Sequence, residues 1–538
     1  MVIQSQNIEI NDQFKKALDL LENTSKNILI TGRAGTGKST LLDYFVHHTK
    51  KEVVVLAPTG VAAVNVQGQT MHSFFGFKPW ITVDKVKKAY GPNSEIYRAV
   101  DMIIVDEVSM VRADLLDCVD KFLRLNGRDK NKPFGGVQMA FIGDLYQLPP
   151  VVKGREMEVF KTYYKSPYFF DSLVFKKFKV EFIELEKIYR QTDQEFINLL
   201  NAVRNKSVTE DDLKKINKRL NPKFESSGDE FYINLTTTNK LSDEINSKEL
   251  GKLSSRLFTF EGKIKGNFDK SYLPTDEILN VKVGSQIMLL NNDMGHRWVN
   301  GTVGKIIAIE EGDKKKAIIK AKLEDGKIVK VTRHKCDLNQ VVYNAKTKKI
   351  EAKTIGSFVQ YPLRLAWSVT IHKGQGKTFD KIIVDIGSGT FTHGQAYVAL
   401  SRCTSLQGIV LKKPIEKKHI WMDWRVVNFL TQFQYNLSEN ELSLDKKIEL
   451  IKKAIESKSN IDITYLKSND QKSKRTIAPK KVGTMEYLGK SYLGVEGYCF
   501  KREDNRVFRV DRILELKISG SAEPELINLK LFQNKKLA

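Results

Sequence analysis

At 538 residues, with 41% hydrophobic and 28% charged side chains, the chain is too long for one core and too apolar for a disordered protein, so three or more folded domains are expected. Lys and Arg outnumber Asp and Glu 88 to 64, a net charge of +24 that points to a polyanionic partner or to a lysine-rich solvated surface. Four scattered cysteines suggest neither a zinc site nor a disulfide framework, and the lack of a leader pattern or a spanning apolar run predicts a reduced, cytoplasmic protein with no membrane partner, nucleoid-associated if the cell is bacterial.

In chain order, Asn11 to Leu21 has the cap and apolar spacing of a helix, and Gln13 near its start suits the donor and acceptor edges of an adenine. The apolar run Asn27-Ile28-Leu29-Ile30 feeds Gly32-Arg33-Ala34-Gly35-Thr36-Gly37-Lys38-Ser39-Thr40, and Leu41 to Val46 continues as a helix. Gly-x-x-x-x-Gly-Lys-Ser between strand and helix is a phosphate cradle. Gly32, Gly35 and Gly37 let backbone N–H groups curl around an anion, with Thr36 and Thr40 completing the turn. Lys38 reaches the terminal phosphates of ATP, and Ser39 is left to hold Mg²⁺.

Val53 to Ala57 reads as a strand whose exit carries Thr59 on the ligand edge of a doubly wound sheet. In Thr70 to Phe77, His72, Phe74 and Phe75 suit either stacking on a single nucleic-acid strand or ordinary core packing. Met102 to Val105 delivers Asp106 and Glu107, the first for the Mg²⁺ shell and the second to polarise an attacking water. The strand Gln138 to Ile142 ends in Gly143-Asp144-Leu145-Tyr146-Gln147-Leu148-Pro149-Pro150, which sets Gln147 beside the γ-phosphate.

Asp114 to Lys121, Pro133-Phe134-Gly135-Gly136-Val137-Gln138 and Gly143 to Val151 together resemble the signature block of the petite-integration-frequency (PIF-type) helicases. These are superfamily-one DNA helicases related to RecD. Leu125-Asn126-Gly127 departs from the basic residues of that family. The resemblance covers roughly residues 10 to 430 and implies a fold class of α/β with two RecA-like P-loop domains and an inserted small β-barrel; a C-terminal small β-rich, WYL-like domain is implied separately by residues between 461 and 513. It also implies that Arg190 and Arg402 are arginine fingers acting from the second motor domain on ATP bound to the first.

Further along, Leu235-Thr236-Thr237-Thr238-Asn239 is a strand exit with hydroxyls and an amide, so Asn239 suits strand phosphates. Alternating stretches from Lys305 to Val331, separated by Gly and Asp turns, have the texture of a small barrel. Leu363 to Thr378 brings Arg364, Thr370, His372 and Lys373 toward a DNA strand while Gly376 approaches phosphate, with Gly374 where the family has serine. Beyond Leu430, Ile461 to Tyr465, Arg475 to Pro479, Ser491-Tyr492-Leu493 and Phe508 to Ile513 resemble the WYL module of bacterial regulators, with Ser491 in place of its tryptophan. Tyr465, Arg475, Tyr492, Arg509 and Arg512 suit nucleic acid by stacking and charge, or a small domain's core and surface.

The expected domains are a first motor domain at 1–178 with a wedge-like insertion near 77–98, and a second at 179–293 and 361–435 interrupted by the barrel at 294–360. A linker helix at 436–457, the WYL-like domain at 458–520 and a tail at 521–538 follow. The resemblance implies an ATP- and Mg²⁺-dependent helicase, a monomer moving 5′ to 3′ on single-stranded DNA and opening duplex or forked DNA in replication, repair and recombination. G-rich structures and RNA–DNA hybrids are further partners it implies. A nucleotide-switched nucleic-acid-binding regulator and a RecD-type subunit of a recombination complex stand as alternatives.

Overall fold

The computed structural model describes residues 10–520 apart from 67, 79, 153–155, 227–229, 269, 271–272, 294, 313–315, 345, 348, 387–391 and 488. The expected tail at 521–538 and the first nine residues lie outside the described residues. The chain divides into two compact units, Met1–Met422 and Asp423–Ala538.

The first unit is built on two parallel sheets. In the larger, the strands run in the order Gln69–Thr70, Val53–Ala57, Met102–Val105, Gln138–Gly143, Asn27–Gly32, Val180–Leu185. All pair in parallel. The central strands are continuous apolar runs because they are buried on both faces: Met102–Val105 and Gln138–Gly143 have no exposed residue. This order sets three carboxyl ends side by side, those of Met102–Val105, Gln138–Gly143 and Asn27–Gly32, at the edge where such sheets bind ligands. Val180–Leu185 pairs with Asn27–Gly32 as the sixth strand, so the first sheet extends past the boundary expected at 178.

The smaller parallel sheet runs Ser368–Thr370, Ile233–Thr236, Ile382–Val384, Ile409–Leu411. Between its strands in sequence lies an antiparallel region. Ile328–Val331, Lys316–Leu323, Val303–Gly312, Gln286–Leu289 and Leu363–Leu365 form a five-stranded sheet around Trp298 and Tyr361. His334–Asn344 and Lys349–Gln360 form a long hairpin edged by Lys263–Gly266. Antiparallel pairing therefore begins at Leu257–Glu261, ahead of the expected start at 294, because strands flanking the insertion in sequence close its sheet rather than the parallel one.

The second unit holds the helices Trp424–Glu441 and Leu444–Glu456 and a five-stranded antiparallel sheet. Ile451 and Ala454 of the second helix pack on Ile461, Ile463, Ile477 and Val495 of that sheet. Among the described residues no helix is long and apolar enough to cross a membrane.

Candidate nucleotide and strand-binding site

The strand Asn27–Gly32 leads into the loop and the helix Lys38–His48 starts it on the other side, with Gly35 and Gly37 left-handed at φ of 80° and 83°. Side chains are excluded here by space as well: a Cβ on Gly35 would stand 2.5 Å from Cβ of Arg190, and one on Gly32 2.6 Å from Oγ1 of Thr36. Thr36 is buried and donates to the Arg33 carbonyl, whereas Ser39 and Thr40 are exposed at the helix start. Lys38 Nζ folds back to donate to the carbonyls of Gly32 and Arg33 at 2.8 and 2.9 Å. Burial pushes its ammonium below the ordinary lysine range, and Asp144, Glu107 and Asp106 oppose that shift. Gln13 lies beside the loop with its carbonyl oxygen accepting from the Glu186 amide at 3.0 Å, so one of its two expected edges is already engaged.

Asp106 and Glu107 follow the neighbouring strand. Among the described residues Glu107 is one of few non-glycine residues with positive φ, 49°. Burial, then repulsion from Asp106, raises its pKa to about 7, with Lys38 and Arg402 opposing; Asp106 is also raised by burial. Gln147, on the third strand exit, is buried and donates to Asp144 at 3.3 Å.

The second sheet reaches this edge through two segments. Arg402 is 1% exposed and is held by the carbonyls of Val398 and Lys377 and by Ser401 Oγ, at 2.9, 3.3 and 2.9 Å. Burial lowers its pKa, as does Arg190 nearby. Arg190 is itself tied across by Nη1 donating to the Ser401 carbonyl at 3.3 Å. Gly376, with φ of 79°, sits next to Gln375, whose amide donates to Glu107 Oε2 and to Gln147 Oε1, both at 3.0 Å.

Sequence reasoning did not single out Gln375, although it lies between the two glycines that were. It also passed over a buried hub at Asp144. Tyr397 donates to Asp144 at 3.2 Å while accepting from the Ala34 amide of the phosphate loop at 2.9 Å. Arg204 lies 3.6 Å from the same carboxylate and stacks 3.9 Å over the Tyr146 ring. The available signal was the aspartate in the Gly143-Asp144 strand exit; its partners come from elsewhere in the chain.

The residues expected to meet a strand divide. His372, Lys373 and Asn239 are exposed, the last opening the helix Asn239–Lys252 behind its cap Thr238. Thr59 is half-buried, and its hydroxyl accepts from the Ala62 amide. His72 is half-buried at a hollow lined by Ile81, Arg112, Asp114 and Leu115, where burial and Arg112 lower its pKa and favour the neutral ring. Phe74 and Phe75 correct the stacking expectation: they are 6% and 4% exposed and pack with Phe77, Tyr97 and Phe122. Burying such rings is worth roughly 1.5–3 kcal/mol each, so they serve the core. Thr370 is likewise interior, its hydroxyl accepting from the Lys373 amide. Arg364 is largely withdrawn, donating to the Pro274 carbonyl at 2.6 Å.

In the second unit, Tyr465 packs edge-on to Phe508 with ring centres 5.2 Å apart, and Arg509 lies 5.4 Å over Tyr492 while paired to Asp511 at 2.6 Å. Arg475 stands opposite Ile463 in the sheet, with its Nη1 buried and, among the described residues, without a hydrogen-bond partner.

A PIF1-like helicase family model matches residues 7–214, and a WYL domain model matches residues 446–518. The ATP-dependent DNA helicase Pif1 of Bdellovibrio bacteriovorus is 30% identical over 439 residues, covering 79% of this chain and 93% of the relative. Human ATP-dependent DNA helicase PIF1 is 32% identical over 398 residues, covering 71% of this chain; the chain spans only 58% of that relative's length. Among solved structures, Bacteroides Pif1 in complex with ADP-AlF4 superposes with a TM-score of 0.73 at 37% identity, over 80% of this chain and 98% of that one. Bacteroides Pif1 bound to ssDNA gives 0.57 at 38% identity, over 78% and 96%. Together with the phosphate loop, the paired carboxylates and the parallel sheets that carry them, these matches establish that the chain belongs to the PIF1-like helicase family.

Proposed function

We propose that the chain is an ATP-dependent DNA helicase that moves 5′ to 3′ along single-stranded DNA and opens duplexes, serving genome maintenance. Its parts in this reading are two RecA-like domains built on the parallel sheets, an inserted barrel and a WYL-like domain. One observation carries it. The loop that exposes His372 and Lys373 also places Gln375 on Glu107 and Gln147 and bonds Arg402 through the Lys377 carbonyl. A change at the γ-phosphate position is thereby felt by residues open to a strand. The strand itself is inferred from relatives named DNA helicases and from the Bacteroides protein bound to ssDNA.

The donor set fits a nucleoside triphosphate with Mg²⁺: an exposed Ser39 hydroxyl and the Asp106 carboxylate are hard oxygen donors. Among the described residues no cluster of three His, Cys, Asp or Glu forms a metal cage, so phosphate oxygens would complete the shell. When bound, the nucleotide supplies the anhydride to be cleaved and the metal neutralises its charge. Lys38 then trades the Gly32 and Arg33 carbonyls for phosphate oxygens. Ionised Glu107 orients the water and takes its proton, Gln147 reports on the γ-phosphate, and Arg190 and Arg402 neutralise charge on the transferring group.

Because Glu107 acts as a base and its pKa is raised, activity is present above about pH 7 and lost as pH falls through that value. The acid limb of kcat/KM should fall about tenfold per unit. Gln375→Ala removes a hydrogen bond that favours ionised Glu107, and should move this limb upward by about half to one unit. An unchanged pH profile in that variant would show that Gln375 does not act on Glu107.

The reading as a motor is tested by ATP-dependent unwinding of duplexes carrying a single-stranded tail, with unwinding from the 5′ tail expected.

A further inference from the structure

Asp144 takes no part in hydrolysis as proposed above, yet it is fully buried where elements of the two parallel sheets meet. Its carboxylate is reached from both sides. Gln147 comes from its own strand exit, Tyr397 from the helix Gln395–Leu400 and Arg204 from the end of the helix Gln194–Arg204. Both helices share a core with Ile233, Leu235, Ile382 and Ile409 of the smaller sheet, and Ala34 and Leu148, which follow strands of the larger one, are buried in that same core. The contact is dry at this point, where a hydrogen bond is strong and an unmade one costly.

The Tyr397 hydroxyl both gives and takes a hydrogen bond there. It donates to Asp144 Oδ2 at 3.2 Å and accepts from the Ala34 amide at 2.9 Å. Burial, then the Asp144 charge, pushes its phenol above the ordinary tyrosine range, so the proton that makes the first bond stays in place. The second bond reaches the phosphate loop itself. The Ala34 N–H and the Arg33 carbonyl are two ends of one planar peptide unit, and that carbonyl accepts from Lys38 Nζ at 2.9 Å and from Thr36 Oγ1 at 3.0 Å. A side chain carried by the smaller sheet therefore pins one edge of the peptide on whose other edge the lysine ammonium sits.

We infer that Tyr397 is a positioning residue for the nucleotide, taken to be ATP on the reading proposed above, on which this role rests. Through the Arg33–Ala34 peptide it sets where Lys38 stands, so the grip on phosphate depends on a contact made from the smaller sheet. Arg204 completes the anchor. It is buried with its guanidinium 3.9 Å over the Tyr146 ring, and its Nη2 stands 3.6 Å from Asp144 Oδ1, beyond hydrogen-bond reach. It holds the carboxylate by charge and leaves Oδ2 to Tyr397 and Gln147.

The test is calorimetric binding of adenylyl imidodiphosphate with Mg²⁺ to the full chain without DNA, in a cycle of Tyr397→Phe, Lys38→Ala and the double variant. Tyr397→Phe keeps the ring and removes the hydroxyl, and the analogue should bind about tenfold more weakly. In the Lys38→Ala background the same change should cost less than about twofold, because the lysine it positions is gone. In steady state the loss should appear in KM for ATP, with kcat within about threefold of wild type, as for an interaction made equally in the ground and transition states. Equal losses in the two backgrounds would reduce Tyr397 to packing, and no loss in either would remove it from the site; each result overturns the inference. A second measurement needs no variant. Hydrogen exchange of the wild-type chain without nucleotide should show the Ala34 amide protected by about a hundredfold or more, and exchange at the rate of an open loop would equally overturn it. Binding and exchange are both read without a strand, so a failure to unwind would count against the motor reading alone.

Discussion

Replacing Lys38 by alanine is expected to cut ATP turnover by about a thousandfold and to abolish unwinding, while affinity for single-stranded DNA stays within about twofold of wild type. The ammonium is held at the loop by two carbonyls rather than by a carboxylate. It is therefore free to transfer to phosphate without breaking an ion pair. Its loss also removes a charge that opposes the raised pKa values of Asp106 and Glu107, so the base would be less ionised at neutral pH. Among the described residues Lys38 bonds to Gly32 and Arg33 and not to the segments carrying the exposed His372, Lys373 and Asn239, which are the residues proposed to meet the strand, and on this reading binding survives. Steady-state ATPase, unwinding and anisotropy on one preparation check all three. Retained unwinding would remove the loop from the mechanism.

Substitution of Arg402 should be at least as costly. Arginine fingers are worth about 10³ to 10⁵ in rate. Here the guanidinium is fixed by three hydrogen bonds within its own half of the site, so in the proposed role it would meet developing charge with little reorganisation. Arg402→Lys keeps a charge but loses the planar fork, and is expected to lower kcat by two or more orders of magnitude with KM for ATP changed only a few-fold. Because Arg402 is 1% exposed, a thermal melt must accompany the kinetics. A folded Arg402→Lys chain with near-normal kcat would show that the group does not meet the transition state.

What the sequence disclosed about the site was local. The glycine spacing around Lys38, and carboxylates or amides directly after apolar strands, announce backbone geometry within a few residues of themselves. The parallel order that sets Asp106, Glu107 and Gln147 next to the loop follows from such units. What stayed hidden depends on partners distant in sequence. Gln375 meets Glu107 and Gln147 from 268 and 228 residues away, and Tyr397 meets Ala34 from 363. No periodicity encodes such pairings. Phe74 and Phe75 show the opposite difficulty: composition allowed a stacking platform or a core, and only Tyr97 and Phe122, supplied by other segments, decide for the core. The antiparallel insertion was recognisable by its alternation, yet its edges were not, because Gln286–Leu289 and Leu363–Leu365 are too short for their pattern to choose between the two kinds of sheet.

In the proposed motor the loop from His372 to Lys377 links hydrolysis to a moving strand. Its most direct test is unwinding of matched duplexes bearing either a 5′ or a 3′ single-stranded tail, with ATP and Mg²⁺. Unwinding of the 5′-tailed duplex alone, dependent on ATP hydrolysis, is the predicted result. ATP hydrolysis without unwinding of either duplex would contradict it and leave a nucleotide switch in place of a motor.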